Sequence, residues 1–238
     1  MTRDTSAVTE AYPFLPLSRD GLVDRVAHSL VNAILSGAIR PGERLAESQI
    51  ARQMDLSRAP VREALRLLES SGLVEYRANR GFFVHVISAT SIRELYELRI
   101  VIETAAVRAL TETNPGALPG LRAQMAELHR LADEGAEMMA HVSADMQFHR
   151  LICEGSGNRR FLQVFDQISN ETKLGLLVIG RLYDDAHRMA ETHEPIIAAI
   201  AAGDAEAAAA AIAYHIGVAK DLVTAHIEAQ QNQEAGRT

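Results

Sequence analysis

The sequence predicts a mainly α-helical protein, with an N-terminal winged helix-turn-helix followed by an all-α six-helix bundle. Three observations support this prediction. Near the N-terminus, three short amphipathic helical patterns precede two β-rich runs that flank a basic turn. Beyond residue 87, no run is a convincing strand. Six successive stretches in that region instead repeat apolar residues at helical spacing, with breaks at turn-forming residues between them.

These patterns divide the chain into three parts. Residues 1–19 contain two prolines and little periodicity, and are predicted to form a flexible arm. Residues 20–86 form the predicted winged helix-turn-helix, and residues 91–231 form the predicted helical domain. The residues between them, 87–90, are a short linker.

The winged part is built from short segments. They are, in order, a helix over 20–37, a turn over 39–43, a helix over 47–54, a helix that follows Ser57 and ends at Gly72, and strands over 73–76 and 82–86. The two strands surround a basic turn and are predicted to pair as a hairpin. Three helices followed by such a hairpin predict a winged helix-turn-helix.

The helix after Ser57 carries the clearest functional signal. Ser57 can cap its N-terminus. Arginines recur every four residues and form one basic stripe: Arg58, Arg62 and Arg66. Leucine and valine side chains fall on another face and can pack inward: Val61, Leu65 and Leu68. This is the form of a DNA recognition helix.

The tip of the predicted hairpin adds a second basic surface, formed by Arg77, Asn79, Arg80 and Gly81. Taken one at a time, the helix arginines could also be solvated surface residues. Arg62 could pair with Glu63 or Glu69, and Arg66 with Glu69 or Ser70. Such surface pairs contribute little to stability. The stripe, cap, turn and wing together favour DNA binding.

The charge distribution agrees with this assignment. The whole chain has a formal net charge of −7. Residues 1–86 hold 11 basic and 10 acidic residues, a charge of +1, whereas residues 87–238 hold 13 and 21, a charge of −8. Because a protein neutralises DNA phosphates only where its basic side chains lie against them, a stripe of arginines is enough for DNA binding even when the net charge of the chain is negative. The acidic remainder is not expected to touch DNA.

Composition also indicates the cellular compartment of the protein. The single cysteine, Cys153, excludes a disulfide framework and suits a reducing environment. No apolar run approaches the ~20 residues that span a membrane. The N-terminus lacks the apolar core of a signal peptide. We therefore expect a cytoplasmic protein with no membrane partner.

The helical domain is predicted from six patterns, over 91–113, 117–134, 138–155, 158–181, 184–202 and 204–231. Ser91 to Glu94 fits a capping box at the start of the first helix. A break is predicted near Tyr183-Asp184. Gly203 suits a helix C-terminus, and Asp204 suits the next N-cap.

A group of ionisable residues lies on apolar faces of this domain. Asp145 and His149 are four residues apart on one helix, and His193 and His215 lie in the apolar stripes of the last two helices. One divalent cation would satisfy all four, and three imidazoles with a carboxylate suit Zn²⁺, Ni²⁺, Mn²⁺ or Fe²⁺. His141 could support Asp145. Alternatively, each histidine is a hydrogen-bonded core or surface residue.

Two further residues are candidate ligand contacts. Arg99 lies on the inward face of the first bundle helix and could clamp a carboxylate through two hydrogen bonds. The metal could bind another oxygen of the same ligand. Glu103 lies one turn further on and could instead pair with Arg99. Asn170 is a second candidate contact, or a surface residue.

Four runs of residues 20–86 occur in order at characteristic separations: Arg40-Pro41-Gly42-Glu43-Arg44-Leu45, Ser57-Arg58-Ala59-Pro60-Val61-Arg62-Glu63-Ala64-Leu65, Gly72-Leu73-Val74 and Asn79-Arg80-Gly81-Phe82-Phe83-Val84. Together they resemble the DNA-binding domain of GntR-type bacterial transcription regulators. The resemblance implies that Arg58 and Arg62, together with Arg66, meet DNA. It also implies that the wing tip approaches the minor groove.

The second part of the chain is similar to the FCD effector domain of the FadR subfamily. The likeness rests on an Asp-x-x-x-His pair on one helix and single histidines on the last two. Six predicted helices, rather than seven, fit the VanR-like branch. The resemblance implies that Asp145, His149, His193 and His215 hold a metal. Because effectors in this family are usually small organic acids, it also implies that Arg99 and the metal bind a small carboxylate.

The combined prediction is a metabolite-responsive transcription regulator, a repressor, which binds double-stranded operator DNA as a homodimer. A ligand in the helical domain would shift the relative placement of the two winged helices. Two alternatives stay open: a metalloenzyme fused to a DNA-binding module, or a constitutive DNA-binding protein whose bundle only dimerises. No nucleophile–base pair is evident, so we do not expect an enzyme.

Overall fold

The structure, a computed structural model, describes residues 21–180 and 186–235. The predicted arm over residues 1–19 and the break predicted near Tyr183-Asp184 lie outside the described residues. Among the helices that are described, none combines the length and the apolar character needed to cross a membrane.

The N-terminal part consists of three helices and a small antiparallel sheet. The elements are α1 (Leu22–Leu35), β1 (Arg44–Leu45), α2 (Glu47–Gln53), α3 (Arg58–Ser70), β2 (Val74–Arg77) and β3 (Gly81–Val84). The strand order is β1-β3-β2. This arrangement confirms the predicted winged helix-turn-helix.

Strand β1 was not predicted from the sequence. It pairs with β3, with Arg44 opposite Phe83 and Leu45 opposite Phe82. A two-residue strand is too short to display the alternation that identifies strands in a sequence. Its strand conformation depends on a partner that is distant along the chain.

Helix α3 is held by its apolar face. The side chains on that face are almost completely buried: Val61, Ala64, Leu65 and Leu68. They share one core with the apolar face of α1, which comprises Val26, Leu30, Ile34 and Leu35. Ser57 occupies the N-cap position in an extended conformation, but its side chain makes no capping hydrogen bond, so the predicted cap is wrong in this detail. Because Ser57 is exposed, water can satisfy the first N–H groups of α3.

The second part is entirely helical within the described residues. Its helices are α4 (Ala89–Thr113), α5 (Leu118–Asp133), α6 (Met138–Gly155), α7 (Arg159–Gly180), α8 (Ala186–Glu191), α9 (Glu194–Ala201) and α10 (Ala205–Ala235), with a 3-10 turn over Pro115–Ala117. Helix α10 packs along α4 over much of its length. At its N-terminus, Asp204 Oδ1 accepts a hydrogen bond from the Ala207 N–H at 2.9 Å, which confirms the predicted cap.

The fifth predicted helix, over residues 184–202, is interrupted. Helix α8 ends at Glu191, and α9 begins at Glu194 with His193 as its N-cap. Pro195 explains the break, because its ring lacks an N–H and would clash with the Glu191 carbonyl in a continuous helix. The described part of this domain therefore has seven α-helices. The count of six, on which the likeness to the VanR-like branch was based, is not met.

Helix α4 begins earlier than predicted. The Ser88 side chain accepts a hydrogen bond from the Ser91 N–H, and the Ser91 hydroxyl accepts one from the Ser88 N–H, each at 3.0 Å. The capping box therefore pairs Ser88 with Ser91. The predicted box between Ser91 and Glu94 is wrong, because Ser88 already provides the cap one turn earlier.

Helix α7 connects the two parts. Leu174 is buried in the core of the winged helix, and Asn170 Nδ2 lies 3.4 Å from Ser71 Oγ at the end of α3. Glu171 lies against Gly72, where an added Cβ would stand 2.5 Å from Glu171 Oε2. Gly72 also has a φ of +72°, a conformation that L side chains rarely adopt. The left-handed backbone at Gly72 therefore favours glycine directly after the recognition helix.

Candidate DNA-binding surface and metal centre

The arginine stripe of α3 lies on the side opposite its buried face. Arg58, Arg62 and Arg66 are all exposed. The side chains of Arg62 and Arg66 retain 58% and 49% of their accessible surface. The structure therefore presents all three predicted arginines together at the surface.

Arg62 is oriented by a residue that the sequence did not indicate. Its Nη2 lies 2.7 Å and its Nε lies 3.0 Å from Oε2 of Glu47, at the start of α2. The hydrogen bond and charge of Glu47 raise the pKa of Arg62. The alternative partners, Glu63 and Glu69, are not used. Glu47 thus holds the guanidinium in an exposed position between α2 and α3.

Arg66 connects the recognition helix to the wing. Its Nη1 lies 2.7 Å from Glu69 Oε2, which is one of the pairings considered from the sequence. Its guanidinium also stands over the rings of Tyr76 and Phe82, 4.6 and 5.2 Å from their centroids. The guanidinium of Arg66 is therefore already engaged by an ion pair and by two aromatic rings.

The polar residues of the wing turn differ in their contacts and exposure. Arg77 pairs with Glu75, and its guanidinium lies 4.4 Å from the centroid of the Phe83 ring. Asn79 and Arg80 are exposed at the tip. Asn79 has a φ of +61°, and Gly81 has a φ of +92°, as the tight turn requires. Asn79 and Arg80 are thus the wing side chains most accessible to a groove.

Arg44 is a surface arginine that the sequence did not single out. It is exposed on β1, and its guanidinium lies 3.9 Å from the point where a Cβ on Gly81 would stand. It shares a shallow cleft with Ser48, Arg58 and Gly81. In the sequence, the only feature that could have pointed to Arg44 was its place in the Arg40-to-Leu45 run.

The four predicted metal ligands lie together inside the helical domain. Ligand atoms of Asp145, His149, His193 and His215 all lie within 4.8 Å of one another. His193 Nε2 is 3.2 Å from Asp145 Oδ1, and His149 Nε2 is 3.2 Å from His215 Nε2. Helix α6 supplies two of these residues, the α8–α9 junction one, and α10 one. The break at His193 therefore provides one ligand of the group.

Two of the histidines are oriented by partners of their Nδ1 atoms that lie outside the cluster. His149 Nδ1 pairs with Glu103, and His193 Nδ1 donates to the Met189 carbonyl at 2.9 Å. Each pairing leaves Nε2 facing the cluster, as in metal sites with supporting partners. Burial alone would raise the pKa of Glu103, but the Arg99 guanidinium and the paired His149 ring hold it below its ordinary value. Glu103 is therefore a carboxylate.

His141 does not provide the support expected of it. It is buried, and the groups that affect its charge are the Ala136 backbone and His187. Burial lowers its pKa. Glu103, on α4, provides the support for the cluster instead.

The chemistry of the four residues fits a divalent metal. His193 Nε2 is buried and has no hydrogen-bond partner among the described residues, despite the nearby Asp145 oxygen. Burial, together with the neighbouring histidines, lowers the pKa of His215 well below its ordinary value, so its imidazole is neutral. Burial would raise the pKa of Asp145, but the surrounding imidazoles lower it, so it is ionised. Neutral imidazoles and a carboxylate are the forms that bind metal.

A cavity of about 410 Å³ opens beside this cluster. Asp145 and His215 line it, and so does Arg99. Arg99 is only 2% exposed, and its Nε donates to Glu103 Oε1 at 2.9 Å, the alternative pairing considered from the sequence. Its Nη2 is buried without a hydrogen-bond partner among the described residues. Arg99 therefore has a free donor beside the cavity as well as a carboxylate partner.

Asn170 does not line this cavity. Its amide contacts Ser71 at the junction of the two parts. The assignment of Asn170 as a ligand contact is therefore not supported by its position. Residue 170 lies on α7 well before Leu176, the α7 residue that lines the cavity.

Comparison with known families identifies both parts. Residues 22–84 match the family described as bacterial regulatory proteins, gntR family, and residues 94–218 match the FCD domain. The chain belongs to the GntR family, and its second part is an FCD domain. The FCD match includes Arg99, Glu103 and all four residues of the cluster.

Relatives of this GntR-family chain agree with the assignment. It is 31% identical over 144 residues to YdhC, an HTH-type transcriptional regulator of Bacillus subtilis (strain 168). That match spans 60% of this chain and 64% of YdhC. It is also 29% identical over 202 residues to the "Probable D-xylose utilization operon transcriptional repressor" of Paenarthrobacter nicotinovorans, over 84% of this chain and 88% of that protein.

The fold of this GntR-family chain is also found in solved structures. A GntR transcriptional regulator from Rhodococcus sp. RHA1 has 31% sequence identity and a TM-score of 0.71, and the match covers 84% of this chain and 96% of that one. The matched families and relatives are transcription regulators, which confirms that the chain is a regulator rather than an enzyme.

Proposed function

We propose that this chain is a metabolite-responsive repressor that binds operator DNA as a homodimer and senses a small organic acid through a metal-containing FCD domain. One observation carries the proposal. The ligand atoms of three buried residues and of the partly buried His215 lie within 4.8 Å of one another, beside a cavity that is also lined by a buried arginine with an unused donor. A domain used only for dimerisation would be better served by apolar residues at these positions.

The DNA-binding surface comprises α3 and the wing. Arg58 and Arg62 are the proposed contacts in the major groove, with Ser57 at the N-terminus of α3 and Arg66 at its wing side. The wing tip, Arg77 to Gly81, is the proposed contact in the minor groove. Arg44 joins this surface because it shares a cleft with Arg58. The proposal is supported by a shared cleft of Arg44, Arg58 and Gly81, and by the exposure of most residues of this surface: Arg44, Ser57, Arg58, Arg62, Arg66, Asn79 and Arg80.

The metal site comprises Asp145, His149, His193 and His215. Three imidazoles and a carboxylate suit Zn²⁺, Ni²⁺, Mn²⁺ or Fe²⁺. A metal held there would supply a Lewis-acidic position for an oxygen of the effector. The ligand atoms of the four residues lie within 4.8 Å of one another, and the Nδ1 partners of His149 and His193 leave Nε2 of each facing the cluster; both observations support this assignment.

The effector site is the cavity next to the cluster. Arg99 is the proposed carboxylate contact, because Nη2 remains available while Glu103 holds Nε. A carboxylate there would complete the hydrogen bonds of the guanidinium. Asn170 is assigned instead to the contact with the winged helix.

Helix α7 is the proposed route between effector and DNA. It contributes Leu176 to the cavity and, only two residues away, Leu174 to the core of the winged helix. Glu171 lies against Gly72, directly after the recognition helix. A ligand that binds one placement of α7 better than another would shift the position of α3.

Exposed apolar residues on α4 support homodimerisation. Leu98 and Val101 are 41% and 67% exposed, one turn apart on the outer side of the helix. Burying this surface against a second copy would bring two recognition helices into one assembly, as paired DNA half-sites require.

The name of the Paenarthrobacter relative supports repression. Action on chromosomal operators implies the cytoplasm.

A thermal-shift screen tests the proposal. Full-length protein would be loaded with Zn²⁺ and mixed with two- to six-carbon mono- and dicarboxylic acids, and then retested after chelation. We expect at least one acid to raise Tm only while metal is bound. The same acid should weaken binding to the protein's own upstream DNA by about 5- to 150-fold. No acid-dependent change in either assay would leave a constitutive DNA-binding protein.

A further inference from the structure

The polar groups that line the effector cavity differ in exposure, which gives the cavity a buried end and an open end. At the buried end are Arg99, Asp145 and the partly buried His215. The opposite end is marked by exposed residues: Arg188, Glu191, Thr192 and Tyr214. Tyr214 is 76% exposed, so this end is the mouth.

Apart from these polar groups, the wall of the cavity is apolar. Among the described lining residues it comprises Leu176, Met189, Pro195, Ala211, Ile216, Val218 and Ala219. None of these side chains carries an N–H or O–H donor, and Met189 offers only a weak sulfur acceptor. The Thr192 hydroxyl near the mouth already donates to the Met189 carbonyl at 2.8 Å.

We propose that this cavity selects a carboxylic acid with a hydrocarbon body and discriminates against polyhydroxylated acids of the same length. The proposal rests on the proposed function, because it takes the metal–Arg99 end as the site of the carboxylate. With the acid group held there, the following carbons must lie along the apolar wall. Methylene groups gain from that burial, whereas hydroxyl groups lose water without finding protein partners.

The dimensions are consistent with an acid of modest length. A cavity of about 410 Å³ is near the lower end of the range for small-molecule sites. The open mouth tolerates a polar group at the far end of the ligand, near Arg188. The discrimination therefore concerns the middle of the ligand, at the carbons beyond its acid group.

A pair of six-carbon acids tests this directly. 2-Hydroxyhexanoate and gluconate have the same charge, length and 2-hydroxycarboxylate head group, and differ in the hydroxyl groups on carbons 3 to 6. Calorimetric titration of Zn²⁺-loaded full-length protein would measure both dissociation constants. We expect 2-hydroxyhexanoate to bind at least tenfold more tightly.

A matched pair of variants locates the effect. Val218→Thr adds a hydroxyl to the partly buried wall with little change in size, and should reduce the ratio of the two constants at least threefold. Val86→Thr makes the same change at an exposed residue outside the cavity, and should leave the ratio unchanged. The melting temperatures of both variants show whether the fold is retained.

The possible outcomes separate this inference from the proposed function. Equal or tighter binding of gluconate overturns the inference and leaves a metal-dependent effector site in place. If neither acid binds the metal-loaded protein, the effector site in this cavity is overturned as well. An equal change of the ratio in both variants would also contradict the assignment to the wall.

Discussion

Glu103 accepts a hydrogen bond from Arg99 Nε at 2.9 Å in the interior of the FCD domain, where neither side chain is more than 2% exposed. The other carboxylate oxygen of Glu103 pairs with His149 Nδ1. One carboxylate therefore orients both the arginine of the cavity and a candidate metal ligand. This shared partner makes the two proposed sites a single unit.

Replacing Glu103 should affect stability and metal binding together. Glu103→Gln keeps the size of the side chain but leaves the buried Arg99 charge uncompensated. We expect the free energy of unfolding to fall by about 3 kcal/mol or more and metal affinity to fall about 10- to 100-fold. Urea denaturation and metal titration would measure these. The exposed pair of Glu127 and Arg130 provides the control, since Glu127→Gln should change neither quantity appreciably.

Removing one ligand should abolish stoichiometric metal binding with the fold intact. His193→Ala deletes the buried Nε2 that has no hydrogen-bond partner among the described residues. We expect the metal content of the purified variant, measured by mass spectrometry, to fall well below one ion per chain, with an unchanged circular dichroism spectrum. His28→Ala, at an exposed residue of α1, should keep its metal. Full metal content in His193→Ala would remove this residue from the ligand set.

Operator binding should depend on the arginine that Glu47 orients. Arg62→Ala removes an exposed guanidinium from the stripe, so affinity for operator DNA should fall about tenfold or more. The dependence of affinity on salt should also weaken if Arg62 contacts a phosphate. Fluorescence anisotropy at several salt concentrations measures both. Arg108→Ala, which breaks an exposed ion pair with Glu206, is the control and should bind DNA normally.

The outer face of α4 should determine the oligomeric state. Val101→Arg places a charge where the proposed dimer would bury an apolar surface. We expect analytical ultracentrifugation to report a monomer, with a corresponding loss of operator affinity. Val86→Arg makes the same change at another exposed valine, outside α4, and should remain dimeric. A dimeric Val101→Arg protein would place the interface elsewhere.

The junction between the domains should respond to pH through Glu171. Burial raises the pKa of this carboxyl above its ordinary value of 4.5, although His85 acts in the opposite direction. A raised pKa in the folded state means that the contribution of Glu171 to stability is greatest below about pH 4.5 and is lost as pH rises through the folded-state pKa. Burying the ionised form is the physical cause.

Glu171→Gln removes this dependence. The variant should unfold at a higher urea concentration than the wild-type protein at pH 7, and the difference should shrink as the pH is lowered to 4.5. Glu112→Gln, at an exposed residue of α4, should show no comparable trend. A difference between wild type and Glu171→Gln that stays constant with pH would assign the effect to packing against Gly72.

Local patterns predicted much of the fold. The arginine stripe of α3 and its buried valine and leucines follow from helical spacing alone, and the basic turn indicated the wing. The same spacing placed Asp145 and His149 on one face. Two of the wrong predictions had a local competitor: Ser88 replaced Ser91 as the cap, and Pro195 broke a pattern that otherwise continued.

Residue pairs distant along the chain were not predictable in this way. Glu47 beside Arg62, Arg44 beside Gly81 and Asn170 beside Ser71 each join elements whose relative placement has no signature in a single sequence. Periodicity shows which face of a helix is buried, but it does not show which other face it meets. For this reason the sequence did not show that Asn170 lies at the domain junction, away from the cavity.

The sequence by itself determined the winged helix-turn-helix, the helical second domain and the residue types available for DNA, metal and acid binding, because spacing, turn residues and charge are properties of short segments. Only the tertiary structure decided that Glu103 joins Arg99 to the histidine cluster, that α7 lies between the cavity and the recognition helix, and that the cavity wall is apolar. These features arise where helices that are far apart along the chain pack together, and packing is decided by the whole set of buried faces at once.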